Sequence, residues 1–246
     1  MTRLWITRPL PEAVLEEAQA QALDADVVVR AETGPLSDAE LRAALTEYDV
    51  VLPTLGDVFS AQVFADVGAP RCRLLANFGV GFNHIDVGAA RAAGVLVTNT
   101  PGAVTDATAD IAVMLMLMSA RRAGEGERMV RAGQWPGWHP TQMLGLHMSG
   151  KRVGIVGLGR IGQAIARRCH LGFGMEVSHV SRSDKDLAFD VQRAPDLQAL
   201  AAAVDFLVVA VPGSAETRHL INAQVFDAMQ PHAHLINISR GDDIAP

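Results

Sequence analysis

Cysteine is scarce in this 246-residue sequence: Cys72 and Cys169 lie far apart, in no CxxC or metal-ligand spacing. That excludes a disulfide scaffold and a thiolate metal centre, and it fits a reduced, cytoplasmic protein with no metal. Long apolar runs are missing too. The greasiest stretch, Ile111 to Met118, is far too short to span a bilayer and is followed by Arg121 and Arg122. The first residues, MTRLWITRPLPEAV, contain no apolar core of a secretory signal. Positive charge is in deficit, with 21 Lys and Arg against 27 Asp and Glu, a net charge of −6. An acidic balance argues against nucleic acid or an anionic membrane as partner. What remains is an ordinary globular composition, 49% hydrophobic and 20% charged, enough for one or two packed domains and too apolar for disorder.

The stretch that organises the chain is Lys151 to Gly162, KRVGIVGLGRIG. Val153, Ile155 and Val156 form a short apolar run flanked by glycine, the pattern of a buried parallel strand. The chain then turns at Gly157-Leu158-Gly159 and enters a helix in which Ile161, Ile165 and Cys169 share one face. A bare GxGxxG carries little information; between a strand and an amphipathic helix it points to dinucleotide binding. Gly157 permits the tight turn, Gly159 lets a pyrophosphate approach the backbone, and Gly162 lets helix and strand pack closely. Free amides at the helix start, those of Arg160 and Ile161 among them, attract phosphate.

Residues 1–100 alternate apolar runs with helical patterns. Leu4–Ile6, Val27–Val29, Val50–Leu52, Leu74–Ala76 and Val95–Val97 read as strands, and 11–23 and 37–45 read as helices. Ser37 and Glu40 fit a capping box. Alternating strands and helices imply a parallel sheet covered on both faces, here without GxGxxG. The loop Asn77–Asn83, NFGVGFN, follows a strand and so falls at the carboxyl edge, where open α/β sheets bind ligands. Its glycines expose amides that could hold a carboxylate; on spacing alone a plain Gly-rich turn is an equal reading. Pro101-Gly102 breaks the chain and marks the crossing between a first domain, 1–101, and a second, 102–246.

The segment from Asp106 to Arg122 reads as one long helix, apolar on nearly every side and therefore buried, packing between domains and against a second subunit. Its methionines are core filler more readily than a flexible binding surface. From Gly124 to Ser149 the sequence reads as irregular, with Trp135 and Trp138 suggesting an arm over a neighbour or a local cluster. After Lys151 the expected elements are strands at 151–156, 175–180, 206–211 and 234–238, with helices at 197–203 and 222–229. That gives four strands where a full doubly wound domain has six.

NFGVGFNHID (77–86), VTNTPGAVTDATAD (97–110), GIVGLGRIG (154–162), ETRHLIN (216–222) and NISRG (237–241) occur in this order. Together with the loop at 210–213, they make the chain from Val50 to Gly241 resemble the D-isomer-specific 2-hydroxyacid dehydrogenases, most closely their glyoxylate/hydroxypyruvate reductase branch. The resemblance implies an α/β protein with a flavodoxin-like parallel-sheet substrate domain. It also implies a Rossmann doubly wound dinucleotide-binding domain, with the nicotinamide cofactor in the cleft between the two. Transferred position by position, the amides of Val80 and Gly81 hold the substrate carboxylate. Arg240 clamps the carboxylate and carbonyl of a small 2-oxo acid, a task suited to a planar, always-charged fork. Thr108 meets the nicotinamide end, Arg160 and Ile161 meet the pyrophosphate, and Val211, Pro212, Ile238 and Ser239 line the cofactor track. An NAD-specific site wants Asp or Glu at the end of its second strand. Here Ser181 and Arg182 stand there with Lys185 nearby and no carboxylate to repel a 2′-phosphate, so NADP(H) is expected over NAD(H).

The resemblance also implies a His general acid and a Glu partner, on segments following the Arg240 loop that this sequence does not contain. His139, His147, His170, His232 and His234 lie in the arm, on a helix or beside the last strand, and His84 has no acid role in the family. A structural or surface role is the default for each. The expectation is therefore an oxidoreductase of small 2-oxo acids, truncated at its C-terminal end and impaired by itself. The alternative is a non-catalytic dinucleotide-binding redox sensor or assembly protein, or a decayed gene product. A homodimer is expected through the 106–122 helix and the Trp135–Trp138 arm.

Overall fold

A computed structural model describes residues 1–21, 24–183 and 185–246. The chain divides into two compact units, Met1–Ala103 and Val104–Pro246. Both are α/β, and each contains one five-stranded parallel sheet. Among the described residues no helix is long and apolar enough to cross a membrane.

The first unit runs β1 (Thr2–Ile6), α1 (Glu12–Gln21), β2 (Ala25–Val29), α2 (Asp38–Glu47), β3 (Val50–Leu52), α3 (Ala61–Val67), β4 (Leu74–Ala76), α4 (Val87–Ala92) and β5 (Leu96–Thr98). The strand order is β2-β1-β3-β4-β5, the flavodoxin-like arrangement. The end of the first expected helix, Leu23, lies outside the described residues. Ser37 caps α2 as the sequence signals: its hydroxyl accepts from the Glu40 amide at 3.4 Å while the Glu40 carboxylate accepts from the Ser37 amide at 2.8 Å. Arg30, hydrogen-bonded to that carboxylate, together with Ser37, holds the Glu40 pKa down at about 2. Helices α3 and α4 escaped sequence reading because each has fewer than two full turns, too few for an apolar period to show. Their caps, Ser60 and Asp86, are their main local signals. Leu45, Val51, Phe59, Phe64 and Leu75 fill the core. Cys72 is among them, and burial pushes its thiol up to about 11.

One buried acid organises the carboxyl edge of this sheet. Strand order reverses between β1 and β3, and this switch point is where open sheets usually receive a ligand. Here Asp57, fully buried, fills it. Its carboxylate accepts from Thr7 Oγ1 at 2.7 Å, Arg8 Nη2 at 2.7 Å, the Leu36 amide at 3.0 Å and the Thr54 amide at 3.0 Å. The segments following β1, β2 and β3 are thus tied to one carboxylate.

The second unit opens with α5 (Thr105–Ala120) and α6 (Ala123–Arg131), then β6 (Arg152–Val156), α7 (Arg160–Phe173), β7 (Glu176–Val180), β8 (Gln192–Arg193), α8 (Leu197–Ala203), β9 (Phe206–Val209), α9 (Ala223–Ala228) and β10 (His234–Asn237). The order β10-β9-β6-β7-β8 is the Rossmann order read from the far edge, with the reversal between β6 and β9. Three expectations need correction. The sheet has five strands rather than four, because two-residue β8 is too short for any alternation to register. The stretch from 124 is not irregular throughout: α6 occupies its start, following Arg122 in a left-handed conformation at φ 54°. And α5 is not buried all round. Ala109, Ala112, Met116 and Ala120 are covered, whereas Ile111, Met114, Leu117 and Met118 are 36–48% exposed. The covered four join one core cluster with Ile165, Ala166 and Cys169 of α7. Trp135 and Trp138 are exposed as well. Cys169, on the buried face of α7, lies in the core, where burial pushes its thiol up to about 12.

At the amino edge of this sheet Asp205 accepts from the Arg152 amide at 2.9 Å, from Arg152 Nη2 at 2.9 Å, and meets His232 Nε2 at 2.8 Å. Arg152 chiefly, and then His232, hold its carboxyl well below the usual range.

Candidate functional site

The carboxyl edge of the second sheet gathers most of the residues singled out from sequence. Gly157 leaves β6 at φ 96°, its amide donating to the Val180 carbonyl at 2.8 Å. A Cβ at Gly157 would lie 2.7 Å from the Ala210 carbonyl oxygen and 3.0 Å from a Val211 methyl. The turn after β6 therefore presses against the turn after β9, at the reversal of strand order. A Cβ at Gly162 would lie 2.1 Å from the Gly157 carbonyl oxygen, so any side chain there forces α7 off its strand. At Gly159 the added Cβ would meet nothing. The surroundings of Gly157 and Gly162 are filled by the protein, and those of Gly159 are left open. Gly159 also begins α7 with no side-chain cap, and Gln163 Nε2 is spent on the Leu158 carbonyl at 3.1 Å. An open flank beside uncapped helical amides fits the pyrophosphate of a nicotinamide dinucleotide, with Arg160 and Ile161 in the first turn.

Ser181 follows β7 on the same edge. Its hydroxyl donates to the Ser183 carbonyl at 2.8 Å and lies 3.1 Å from Nδ1 of buried His179. Arg182 is highly exposed, and its guanidinium is 3.8 Å from the carboxylate of Glu216. The strand end itself holds Ser181 and no acid, while the 212–220 loop brings the Glu216 carboxylate near Arg182, which the strand-end rule cannot see. The same edge holds a residue that sequence reading passed over. Arg193 of β8 donates from Nη2 to the Ser181 carbonyl at 3.0 Å, a second guanidinium that arrives through a strand with no sequence signal.

On the other side of the reversal, the amide of Ile238 and the hydroxyl of Ser239 both reach the Val209 carbonyl, at 3.2 and 3.3 Å. Thr217 Oγ1 donates to the Pro212 carbonyl at 3.1 Å and fixes that turn. Arg240 is half-buried, with its backbone held by two hydrogen bonds and its side chain by a third. Asn237 Nδ2 donates to its carbonyl at 2.6 Å, its own amide donates to Asp243 Oδ2 at 2.9 Å, and its Nη1 donates to the Ser239 carbonyl at 3.1 Å. The ETRHLIN segment runs beside this loop, with the His219 amide on the Asp242 carbonyl at 2.7 Å and the Ile221 amide on the Asp243 carbonyl at 2.9 Å. Thr108 lies near the start of α5, and Arg168 of α7 fixes that helix through Asp106 at 3.0 Å and Asp110 at 2.7 Å. Gly157, Gly159, Arg160, Ile161, Gly162, Ser181, Arg182, Val211, Pro212, Ile238, Ser239 and Arg240 thus come from the strand ends, loops and first helical turn at one edge, and Thr108 comes from α5.

In the first unit the loop after β4 contains Val80 and Gly81, both half-buried. Gly79 takes φ 149°, and its carbonyl accepts from the Thr100 amide at 3.1 Å. Phe78 and Phe82 flank the loop and are 51% and 46% exposed, an apolar rim around a stretch of backbone. The amides of Val80 and Gly81 have no acceptor among the described residues, which suits them to an anion.

Residues 113–245 match the family model described as D-isomer specific 2-hydroxyacid dehydrogenase, NAD binding domain. The chain is 39% identical over 248 residues to a glyoxylate reductase of Pyrococcus horikoshii, covering 97% of this chain and 72% of that protein. It is 34% identical over 244 residues to a glycerate dehydrogenase of Hyphomicrobium methylovorum, covering 98% and 74%. It is also similar to the holo form of D-mandelate dehydrogenase from Rhodotorula graminis, at a TM-score of 0.83 and 25% identity over 99% of this chain and 75% of that one. The chain belongs to the D-isomer specific 2-hydroxyacid dehydrogenase family, a family of oxidoreductases dependent on a nicotinamide dinucleotide.

Proposed function

We propose that this protein reduces small 2-oxo acids, glyoxylate and hydroxypyruvate among them, to D-2-hydroxy acids, with NADPH as the preferred reductant. The observation that carries the reading is the open flank at Gly159 beside the uncapped start of α7, on the same sheet edge as Arg240. The bound cofactor supplies a hydride. The chain's own residues bind and orient: the first-turn amides of α7 hold the pyrophosphate, and Val211, Pro212, Ile238 and Ser239 line the track. Thr108 meets the nicotinamide end. Arg240 grips the carboxylate and polarises the carbonyl, stabilising negative charge as it develops on the oxygen. In the first unit the amides of Val80 and Gly81 are the anion-binding groups for that carboxylate.

The preference for NADPH rests on Ser181 in place of an acid and on the guanidinium groups of Arg182 and Arg193 at that strand end. Arg182 is loosely paired with Glu216 across 3.8 Å of solvent-exposed space, a pairing that a 2′-phosphate readily displaces. We assign dimerisation to the exposed face of α5, with Ile111, Met114, Leu117 and Met118, and to the Trp135–Trp138 arm. The first unit is then the substrate domain and the second the cofactor domain. Titrating the protein with NADPH and NADH, and following glyoxylate-dependent consumption of the reduced cofactor, tests the reading. Tighter NADPH binding, and consumption abolished by Arg240→Ala, are the expected results. Equal or tighter NADH binding removes the cofactor assignment, and consumption untouched by Arg240→Ala removes the catalytic one.

A further inference from the structure

Three consecutive carbonyls in the 77–83 loop are taken up by side-chain amides. Asn77, 1% exposed, donates from Nδ2 to the Gly79 carbonyl and to the Gly81 carbonyl, each at 3.0 Å. Asn99, on the segment following β5, donates from Nδ2 to the Val80 carbonyl between them at 2.9 Å. A primary amide has two N–H donors, and Asn77 uses one on each of its carbonyls. The assignment of its nitrogen is fixed by this network, since the opposite orientation sets three oxygens against one another. Its Oδ1 is buried with no donor among the described residues. A residue kept only for packing has no need to bury an unmatched acceptor, so the value of Asn77 lies in what its nitrogen does.

The geometry of the peptide bond supplies the consequence. In a trans peptide the carbonyl of one residue and the N–H of the next point in opposite directions within one plane. Pinning the Gly79 oxygen turns the Val80 N–H away from Asn77, and pinning the Val80 oxygen turns the Gly81 N–H away from Asn99. Neither of these two amides has an acceptor among the described residues. We propose that Asn77 and Asn99 are positioning residues: they hold the loop carbonyls inward and so present the amides of Val80 and Gly81 to the carboxylate of the 2-oxo acid. This rests on the reading of that loop as the carboxylate-binding element. Neither asparagine touches the substrate.

The test uses the full chain, labelled with ¹⁵N, titrated with glyoxylate in the absence of reduced cofactor, and titrated separately with NADPH. The variants are Asn99→Ala, at a half-exposed position where folding is spared, and Asn77→Asp, which keeps the shape and replaces the donor with an oxygen. In the wild type the Val80 and Gly81 amide resonances shift on adding glyoxylate. Losing one such hydrogen bond weakens glyoxylate by about tenfold in Asn99→Ala, and by more in Asn77→Asp, with NADPH affinity unchanged. In both variants the free-state resonances of Val80 and Gly81 move, a signature that general destabilisation does not produce. If the wild type shows those shifts and Asn99→Ala binds glyoxylate as tightly, the positioning role is refuted while the loop assignment stands. If the wild-type Val80 and Gly81 resonances do not respond to glyoxylate, the loop assignment falls and the positioning role with it.

Discussion

The two sheets of this protein solve the same topological situation in opposite ways. Each is open and parallel, and each reverses strand order once, at the place where such sheets tend to take a ligand. In the second unit, between β6 and β9, the turn is pared to glycine and one flank is left free of side chains. In the first unit, between β1 and β3, the equivalent place is sealed by Asp57 with four donors around it. In that unit the loop whose Val80 and Gly81 amides have no acceptor among the described residues follows β4, the neighbour of β3, and not the switch point. The lesson is that a switch point offers a site without guaranteeing one; a single buried carboxylate can occupy it from within.

The contrast can be broken at its strongest point by Asp57→Ala. Removing the acid leaves Arg8, whose side chain is 12% exposed, without its buried partner. The expected loss is about 3–5 kcal/mol in chemical denaturation of the first unit, while the folded fraction still binds NADPH normally. Gly162→Ala strikes the other sheet: its Cβ falls 2.1 Å from backbone, so stability drops by about 1–3 kcal/mol and NADPH binding weakens with it. Gly159→Ala separates the two effects. The new methyl meets no protein atom, so the unfolding midpoint holds while NADPH affinity falls, as titration of the folded protein will show. Arg182→Ala sharpens the picture within one edge, weakening NADPH by about tenfold and leaving NADH unchanged in fluorescence titrations.

The smallest effect is on pH dependence. Burial lowers the pKa of His234 below that of the unfolded chain, so the unfolded state takes the proton first. Its contribution to stability is present above about pH 6.5 and is lost on acidification below it. Asp205, held low chiefly by Arg152, contributes above about pH 4 and is lost as pH falls through its folded value. Thermal melts between neutral and acid pH should therefore show a shallow first decline and a second below it, the first absent in His234→Phe.

Much of this was legible in the sequence because it rests on sterics and periodicity. Gly157 and Gly162 of GxGxxG sit where only hydrogen fits, and Val50–Leu52 and Leu74–Ala76 are strands of uninterrupted apolar character. The capping box at Ser37 and Glu40 announced α2 by itself. What escaped depends on partners distant in the chain. Arg193 gains its place from a two-residue strand, and Asp57 gains its place from segments 21 to 50 residues away. Asn77 and Asn99 stood inside recognisable motifs, yet attention to the glycines missed which atoms hold those glycines' carbonyls. The α5 face misled for a related reason: an unbroken run of Met and Leu does not reveal which side the neighbouring alanines claim.

The two thiols have a practical consequence. Each unit contains one, and each is shielded from solvent and kept protonated at neutral pH. Neither reacts with a disulfide dye until its surroundings breathe open, so labelling of Cys72 and Cys169, told apart by peptide mass, gives the opening rate of each lobe on its own clock. A native protein thereby reports separately on its two halves without any probe being engineered into it.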